Sequence, residues 1–329
     1  MSNLDQALAR ASQVEAALEV ELEALSEDES ARRSIAWLAE RDLIRWCVPA
    51  AFGGADTEGL SDPSAVSVQA VVKLRAELAY RSGMLDVMLV MQGLGSYPIS
   101  LAGNDELRRE VLPKVANGTQ IAAFGLTEPG AGSSLGEVQT TAKRDGDHWV
   151  LDGHKTFITN AGLADFYTVL CRTSGDPGGR EGGHGLTMFY VPANSPGLSV
   201  ERFEVMAPHP IGEVHFKGVP VPDSHRLGEV DGGLVIALGT LARFRTTVAA
   251  AACGFARRAL VESQRHLAGR EQFGKPLSAN QGLRFDLAEM ETRLLAAELL
   301  TERAARRSDE LGEGAARDVA RAKLFATET

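Results

Sequence analysis

Through the first third of the chain, apolar residues recur at helical spacing. Leu4, Ala7, Leu8 and Ala11, then Val14, Leu18, Leu22 and Leu25, follow the i, i+3, i+4 rhythm of a single helix face. A second helix is expected from Glu29 to Arg41. The stretches Trp46 to Pro49 and Phe52-Gly53-Gly54 read as loop, because Pro and a Gly pair interrupt the pattern. Ser61-Asp62-Pro63 is expected to open a long helix reaching about Tyr80, with Pro63 early, where its missing N–H costs nothing. Met84 to Leu94 is apolar on every face and predicts a buried helix. Asn104 or Asp105 caps another helix through Val115, which Asn117-Gly118 closes.

From about Ile121 to Val221 the pattern changes to short β-leaning runs. Thr140 to Asp147 and His148 to Leu151 predict a hairpin turning at Asp145-Gly146, with a second turn at Asp152-Gly153. Thr156–Thr159, Phe166–Cys171, Leu186–Val191 and Val214–Pro222 read as strands, and the glycine-rich piece from Ser174 to Gly185 as an exposed loop. Several short strands with regular turns predict a sandwich or barrel. After Gly228 the helical pattern returns over Leu234 to Ala268, Ser278 to Leu311, and Ala315 onward. The expected fold is α+β. An all-α domain spans 1–119, a β-barrel or sandwich 120–228, and a helical bundle, incomplete at its end, 229–329.

Composition narrows the function. At 329 residues the chain holds two or three domains, with 44% hydrophobic and 24% charged residues. A net charge of −10 argues against general nucleic-acid binding, which needs a basic face. Cys47, Cys171 and Cys253 lie far apart and form no CxxC, so neither a disulfide framework nor a zinc site is expected. The seven histidines show no ligand spacing, and no metal is expected. The start is acidic and helix-periodic, unlike a signal or transit peptide, and no apolar run reaches membrane-spanning length. The expectation is a cytoplasmic enzyme with no membrane partner.

Chemistry concentrates in Phe124 to Ser134, FGLTEPGAGSS. Gly130, Ala131 and Gly132 let backbone approach another molecule closely, and Thr127, Ser133 and Ser134 add hydroxyls. Taken alone, the stretch reads as an ordinary interdomain turn. Two further stretches change that. Phe124-Gly-Leu-Thr-Glu-Pro-Gly-Ala-Gly-Ser133, Asp152-Gly-His-Lys-Thr-Phe-Ile-Thr-Asn-Ala-Gly162, and Arg270-Glu-Gln-Phe-Gly-Lys275 with Gln281 together resemble the acyl-CoA dehydrogenase family, in its α, β, α order.

The resemblance implies one FAD clamped between the middle domain and the bundle. It places Phe124 and Leu126 along the cleft, Thr127 at the isoalloxazine edge, and Gly132 and Ser133 near the pyrophosphate and the substrate's pantetheine arm. Phe157, Ile158 and Thr159 would meet the other side of the ring, with Phe157 where many members have Trp. Arg270, Phe273 and Gln281 would reach an FAD held by a neighbouring subunit, which implies a homo-oligomer, dimer or tetramer. The implied chemistry is α,β-dehydrogenation of an acyl-CoA thioester. A base removes the α-proton, hydride goes to flavin N5, and electrons pass to an electron-transfer flavoprotein.

The sequence also departs from the family. Leu241-Ala242-Arg243-Phe244-Arg245 occupies the place where some members carry the catalytic glutamate; Phe244 stands there and cannot take a proton. Arg245 matches the cleft arginine, so Phe244 and Arg245 are the candidate substrate contacts beside Ser133. Most members carry the base later, and here that glutamate is expected beyond Thr329, as the third helix stopping mid-pattern also implies. Glu128 is expected to be structural, and Asp286 with Glu289 a salt-bridging face. Ala242 replaces a frequent CoA-contacting acid, and Met206-Ala-Pro-His-Pro-Ile-Gly212 replaces a hydroxyl-bearing loop, with His209 expected at the surface or hydrogen-bonded. These changes keep two alternatives open: a carrier-protein-linked dehydrogenase of secondary metabolism, and an inactive oligomerising homologue.

Overall fold

The computed structural model describes residues 1–178 and 184–329. Helices α1 (Asn3–Ala11), α2 (Ala16–Ala24), α3 (Glu27–Glu40), α4 (Val68–Arg81), α5 (Gly83–Ala102) and α6 (Asp105–Ala116) come first. They correct the sequence reading in three places. The Leu4-to-Leu25 stripe is two helices, because Ser12 ends α1 and turns its hydroxyl onto the Ala9 carbonyl. Helix α4 starts at Val68, capped by Ser67. Upstream, Asp62 draws the Ser64 N–H into a separate turn. Helix α5 runs eight residues past Leu94, through Pro98, and Gln92, Ser96 and Ser100 hide among its apolar residues. As expected, Asn104 caps α6 by accepting from the Leu107 N–H at 2.8 Å.

The middle of the chain builds β1 (Ala122–Gly125), β2 (Thr141–Asp145), β3 (His148–Thr159), β4 (Phe166–Arg172), β5 (Leu186–Pro192), β6 (Leu198–Arg202), β7 (Ile211–Pro222) and β8 (Arg226–Leu227). They form one mixed sheet in the order β6-β7-β3-β2-β4-β5-β8, with β1 parallel to β4. Strand β4 is buried along its whole length. Its Tyr167, Val169 and Cys171 enter the sheet's own core with Trp149 and Phe189, while Phe166 and Leu170 join the helical core. The β2–β3 hairpin turns where expected, with Asp145 opposite His148. The second turn at Asp152-Gly153 is absent: β3 passes straight through, and the irregularity falls on β7, at Gly218 with φ +61°. The predicted loop from Ser174 to Gly185 lies partly outside the described residues; its ends meet where Thr173 and Ser174 donate to the Gly185 carbonyl.

Helices α7 (Gly233–Gly269), α8 (Gln281–Leu311) and α9 (Ala316–Glu328) close the chain. Between α7 and α8, a two-residue turn at Phe273 (φ +53°) and Gly274 (φ +72°) links β9 (Glu271–Gln272) to β10 (Lys275–Pro276). Contrary to expectation, α7 contains a window of membrane-spanning length and apolarity, with mean hydropathy 1.4. Half of that window is buried inside the protein, against α4, α5, α8 and α9, as in a core helix.

Buried charges lock these helices together. Arg75 on α4 grips Asp86 on α5 in a two-pronged bridge (2.7 and 2.6 Å) and donates to Thr247 on α7 at 3.0 Å. Asp309 on α8 receives the first N–H groups of α4, from Val68 (2.9 Å) and Gln69 (3.0 Å), so a carboxylate sits at the positive end of that helix. Helix α5 approaches β1 so closely that a Cβ on Gly95 would lie 2.7 Å from the Ala122 Cβ. Gln92 fixes that contact by accepting from the Ala122 N–H (2.9 Å) and donating to the Gln120 carbonyl (2.7 Å). Arg75→Met leaves Asp86 charged and buried without a partner and should cost about 3–5 kcal/mol in urea unfolding. Adding Asp86→Leu should recover most of that loss; equal stability of the single variant and the parent would contradict the assignment.

Candidate functional site

The glycine-rich stretch is held from beneath by one buried ion pair. Lys155 on β3, fully buried, reaches Glu128 Oε1 at 2.8 Å and donates to the Leu126 carbonyl at 3.1 Å. Glu128 also accepts the backbone N–H groups of Gln139 (2.7 Å) and Thr140 (2.9 Å), which pins the far end of the loop. Its own N–H and carbonyl pair with Ala131, so Glu128-Pro-Gly-Ala131 closes as a tight turn. Glu128 is therefore structural, as expected. Burial alone would raise its carboxyl, but Lys155 and the donors at Thr140 and Gln139 hold it below the ordinary value. Burial pushes the Lys155 ammonium down, against the pull of Glu128.

Above this pair the loop and β3 form a shared wall. The Thr156 N–H donates to the Thr127 carbonyl at 2.9 Å. Between Lys155 and Ile158, β3 carries one residue more than β7, and the bulge puts Phe157 at φ +55°. That conformation costs an aromatic residue about 1–2 kcal/mol, yet the ring is 65% exposed, touching Phe203 edge-on at 5.6 Å. Thr159 lies next on the same strand, its hydroxyl 2.9 Å from His209 Nε2. His209 is thus half-buried and hydrogen-bonded, with its N–H donating to Glu27 at 2.7 Å; burial holds its imidazole below the ordinary value. Gly132 faces open space, and Ser133 is exposed beside it. Buried Asn160 Oδ1 has no partner among the described residues. An outward aromatic face, hydroxyls on both neighbouring segments and an unobstructed glycine fit a planar cofactor carrying a phosphate arm, as FAD does.

A separate cleft of about 610 Å³ opens among α5, α7, α8 and α9. Tyr97, Leu101, Ala242, Arg245, Asp309 and Val319 are among its lining residues. Arg245 is exposed there. Phe244 turns the other way: it is buried, packs edge-on against Tyr97 at 5.7 Å, and sits where a Cβ on Gly93 would touch its ring at 2.5 Å. Phe124 and Leu126 are likewise core residues, and neither lines this cleft. Asp309, the carboxylate in the cleft wall, is saturated by Arg243 (3.3 Å), Ser67 and the start of α4.

Arg270, Phe273 and Gln281 stand apart from all of this. Arg270 caps the C-terminal end of α7, 25 residues from Arg245 and so about 37 Å along the helix axis. All three are exposed, Phe273 at 98%. Sequence reasoning missed Lys155 as the partner of Glu128, since nothing in a lone Lys announces burial. Reversing that view, Glu128→Gln should strand the Lys155 ammonium and lower stability at pH 7 by about 3–5 kcal/mol, with Glu128→Gln/Lys155→Met recovering most of it. A carboxyl with a lowered folded pKa stabilises above its unfolded value of about 4.3 and loses that contribution as pH falls through the folded value. The gap between parent and Glu128→Gln should therefore narrow below about pH 4.3; a gap constant from pH 7 to 3 would show that the pair is not ionised.

Known proteins resemble this chain over its whole α, β, α order. The acyl-CoA dehydrogenase N-terminal, middle and C-terminal domain models match residues 6–119, 123–219 and 231–329. A 3-(aryl)acrylate reductase of Clostridium sporogenes is 35% identical over 296 residues, 89% of this chain and 75% of that protein. Cyclohexane-1-carbonyl-CoA dehydrogenase of Geobacter metallireducens is 33% identical over 299 residues, 90% of this chain and 74% of that one. The structure of butyryl-CoA dehydrogenase from Megasphaera elsdenii superposes with a TM-score of 0.85 at 29% identity, covering 100% of this chain and 85% of that chain. The chain belongs to the acyl-CoA dehydrogenase family.

Proposed function

We propose that the protein binds FAD on the wall formed by residues 124–134 and 152–162 and oxidises the Cα–Cβ bond of an acyl-CoA thioester. In this reading the electrons pass to an electron-transfer flavoprotein. The observation that carries it is Phe157, an aromatic held outward in a strained backbone beside Thr127 and Thr159. When bound, FAD supplies the hydride acceptor for the β-hydrogen. The protein's part is positional. Phe157 and Ile158 would flank the ring, the hydroxyls of Thr127 and Thr159 would bond its polar edge, and Gly132 and Ser133 would leave room for the pyrophosphate. Arg245 would hold the anionic portion of the substrate at the cleft mouth, and Tyr97, Leu101 and Val319 would keep water from the acyl chain.

The proposed reaction requires a base for the α-proton; Phe244 carries no group for that task, and Asp309 is engaged by Arg243 and by the start of α4. Homo-oligomerisation is supported by the exposed apolar side chains of the bundle, including Phe273, Phe285, Met290 and Leu295. Those residues would carry Arg270 and Gln281 to a neighbouring subunit's cofactor.

The experiment is anaerobic mixing of the FAD-supplemented protein with saturated acyl-CoAs of several chain lengths. Loss of the long-wavelength flavin band is expected. Reduction only by acyl groups on a carrier protein would favour the carrier-linked reading, which the exposed Ala242 supports. A colourless oligomer that takes up no FAD would overturn both.

A further inference from the structure

Two histidines and a glutamate from two strands far apart in sequence meet on one face of the β3–β7 ladder. Register supplies the ligand spacing that the sequence lacks, and so revises the expectation of no metal-ligating set. His154 sits directly opposite His215, and Glu213, two residues before His215, shares its face. The imidazoles stack with centroids 4.2 Å apart and planes 19° apart. His154 Nε2 lies 2.8 Å, and His215 Nε2 3.6 Å, from the same atom, Glu213 Oε2.

Two observations distinguish this from a chance polar cluster. First, His154 Nε2 is buried and, among the described residues, makes no hydrogen bond. Glu213 Oε2 is close enough, but the approach is misaligned, so the nitrogen's bonding capacity is unused. Second, the other carboxylate oxygen is committed: Glu213 Oε1 accepts the Thr156 hydroxyl at 3.0 Å, which turns Oε2 toward the rings. A hydrogen bond that orients a carboxylate from behind is the usual support for a metal ligand. Ligands about 2.1 Å from one tetrahedral ion stand about 3.4 Å apart, a spacing that the 2.8 and 3.6 Å separations bracket.

We propose that His154, Glu213 and His215 bind a divalent transition-metal ion of the zinc class, with solvent completing its coordination. Two imidazoles with one carboxylate select such an ion over Mg²⁺ or Ca²⁺, which take oxygen ligands. The site is open to ions, with side chains 33%, 22% and 38% exposed. It lies between the two register shifts of the β3–β7 ladder, three residues ahead of Phe157. There the ion acts as a staple between the strands.

The test is calorimetric titration of Zn²⁺ into chelator-treated protein without a histidine tag. One equivalent should bind, with at least tenfold weaker binding in His215→Gln and Glu213→Gln. Thr156→Val should weaken it about tenfold by freeing the carboxylate. In the unsubstituted protein, Zn²⁺ should protect His154 and His215, and not His148, from diethyl pyrocarbonate, read by peptide mass spectrometry; this arm is independent of whether any variant folds. Absence of stoichiometric binding, binding unchanged by the substitutions, or equal modification with and without Zn²⁺ would each overturn the proposal.

Discussion

The Glu128–Lys155 pair is the constraint on which the candidate site depends. Each charge is buried, and each is tolerable only because the other is there together with backbone donors and acceptors. Its consequence is geometric. Glu128 holds both ends of the 128–140 segment, while Lys155 fixes β3 immediately before its bulge. With Lys155 anchored inward, the extra residue is expelled outward, and Phe157 takes the left-handed conformation with its ring in the open. A glycine-rich loop and a strand from different parts of the chain thereby become one surface. The loop's freedom is confined to Pro129–Ser134, where small residues leave space.

The helical layers apply the same device around the cleft. Arg75–Asp86 and Asp309 take charges out of water, pair each one, and so specify how α4, α5, α7 and α8 meet. Asp309 carries a second consequence: a carboxylate in the cleft wall is engaged by a helix terminus and by Arg243. Arg245 remains exposed in that wall, with Ala242 one turn away.

Much of this was legible in the sequence, for stated physical reasons. Helical and strand periods gave the α, β, α order, because each element buries one face against another layer. Capping at Asn104 and the hairpin at Asp145-Gly146 followed from side-chain chemistry local to those positions. What failed was what depends on distant partners. The Leu4–Leu25 stripe ran unbroken while the backbone broke at Ser12. Asp152-Gly153 has turn composition, yet pairing with β7 keeps it extended. A lone Lys155, and histidines 61 residues apart, carry no local mark of the register that brings them to Glu128 or to each other. Phe244 was placed correctly on α7, but helix rotation, set by Gly93 and Tyr97, decided that it faces the core.

In the proposed reading the protein maintains a strained, exposed Phe157 to receive a flavin. Phe157→Gly tests it most directly, because glycine adopts φ +55° without strain while removing the ring. FAD affinity, read by quenching of flavin fluorescence, should fall at least tenfold, while the cofactor-free variant unfolds at the same temperature as the parent or above it. Unchanged FAD affinity in a folded Phe157→Gly protein would contradict the account.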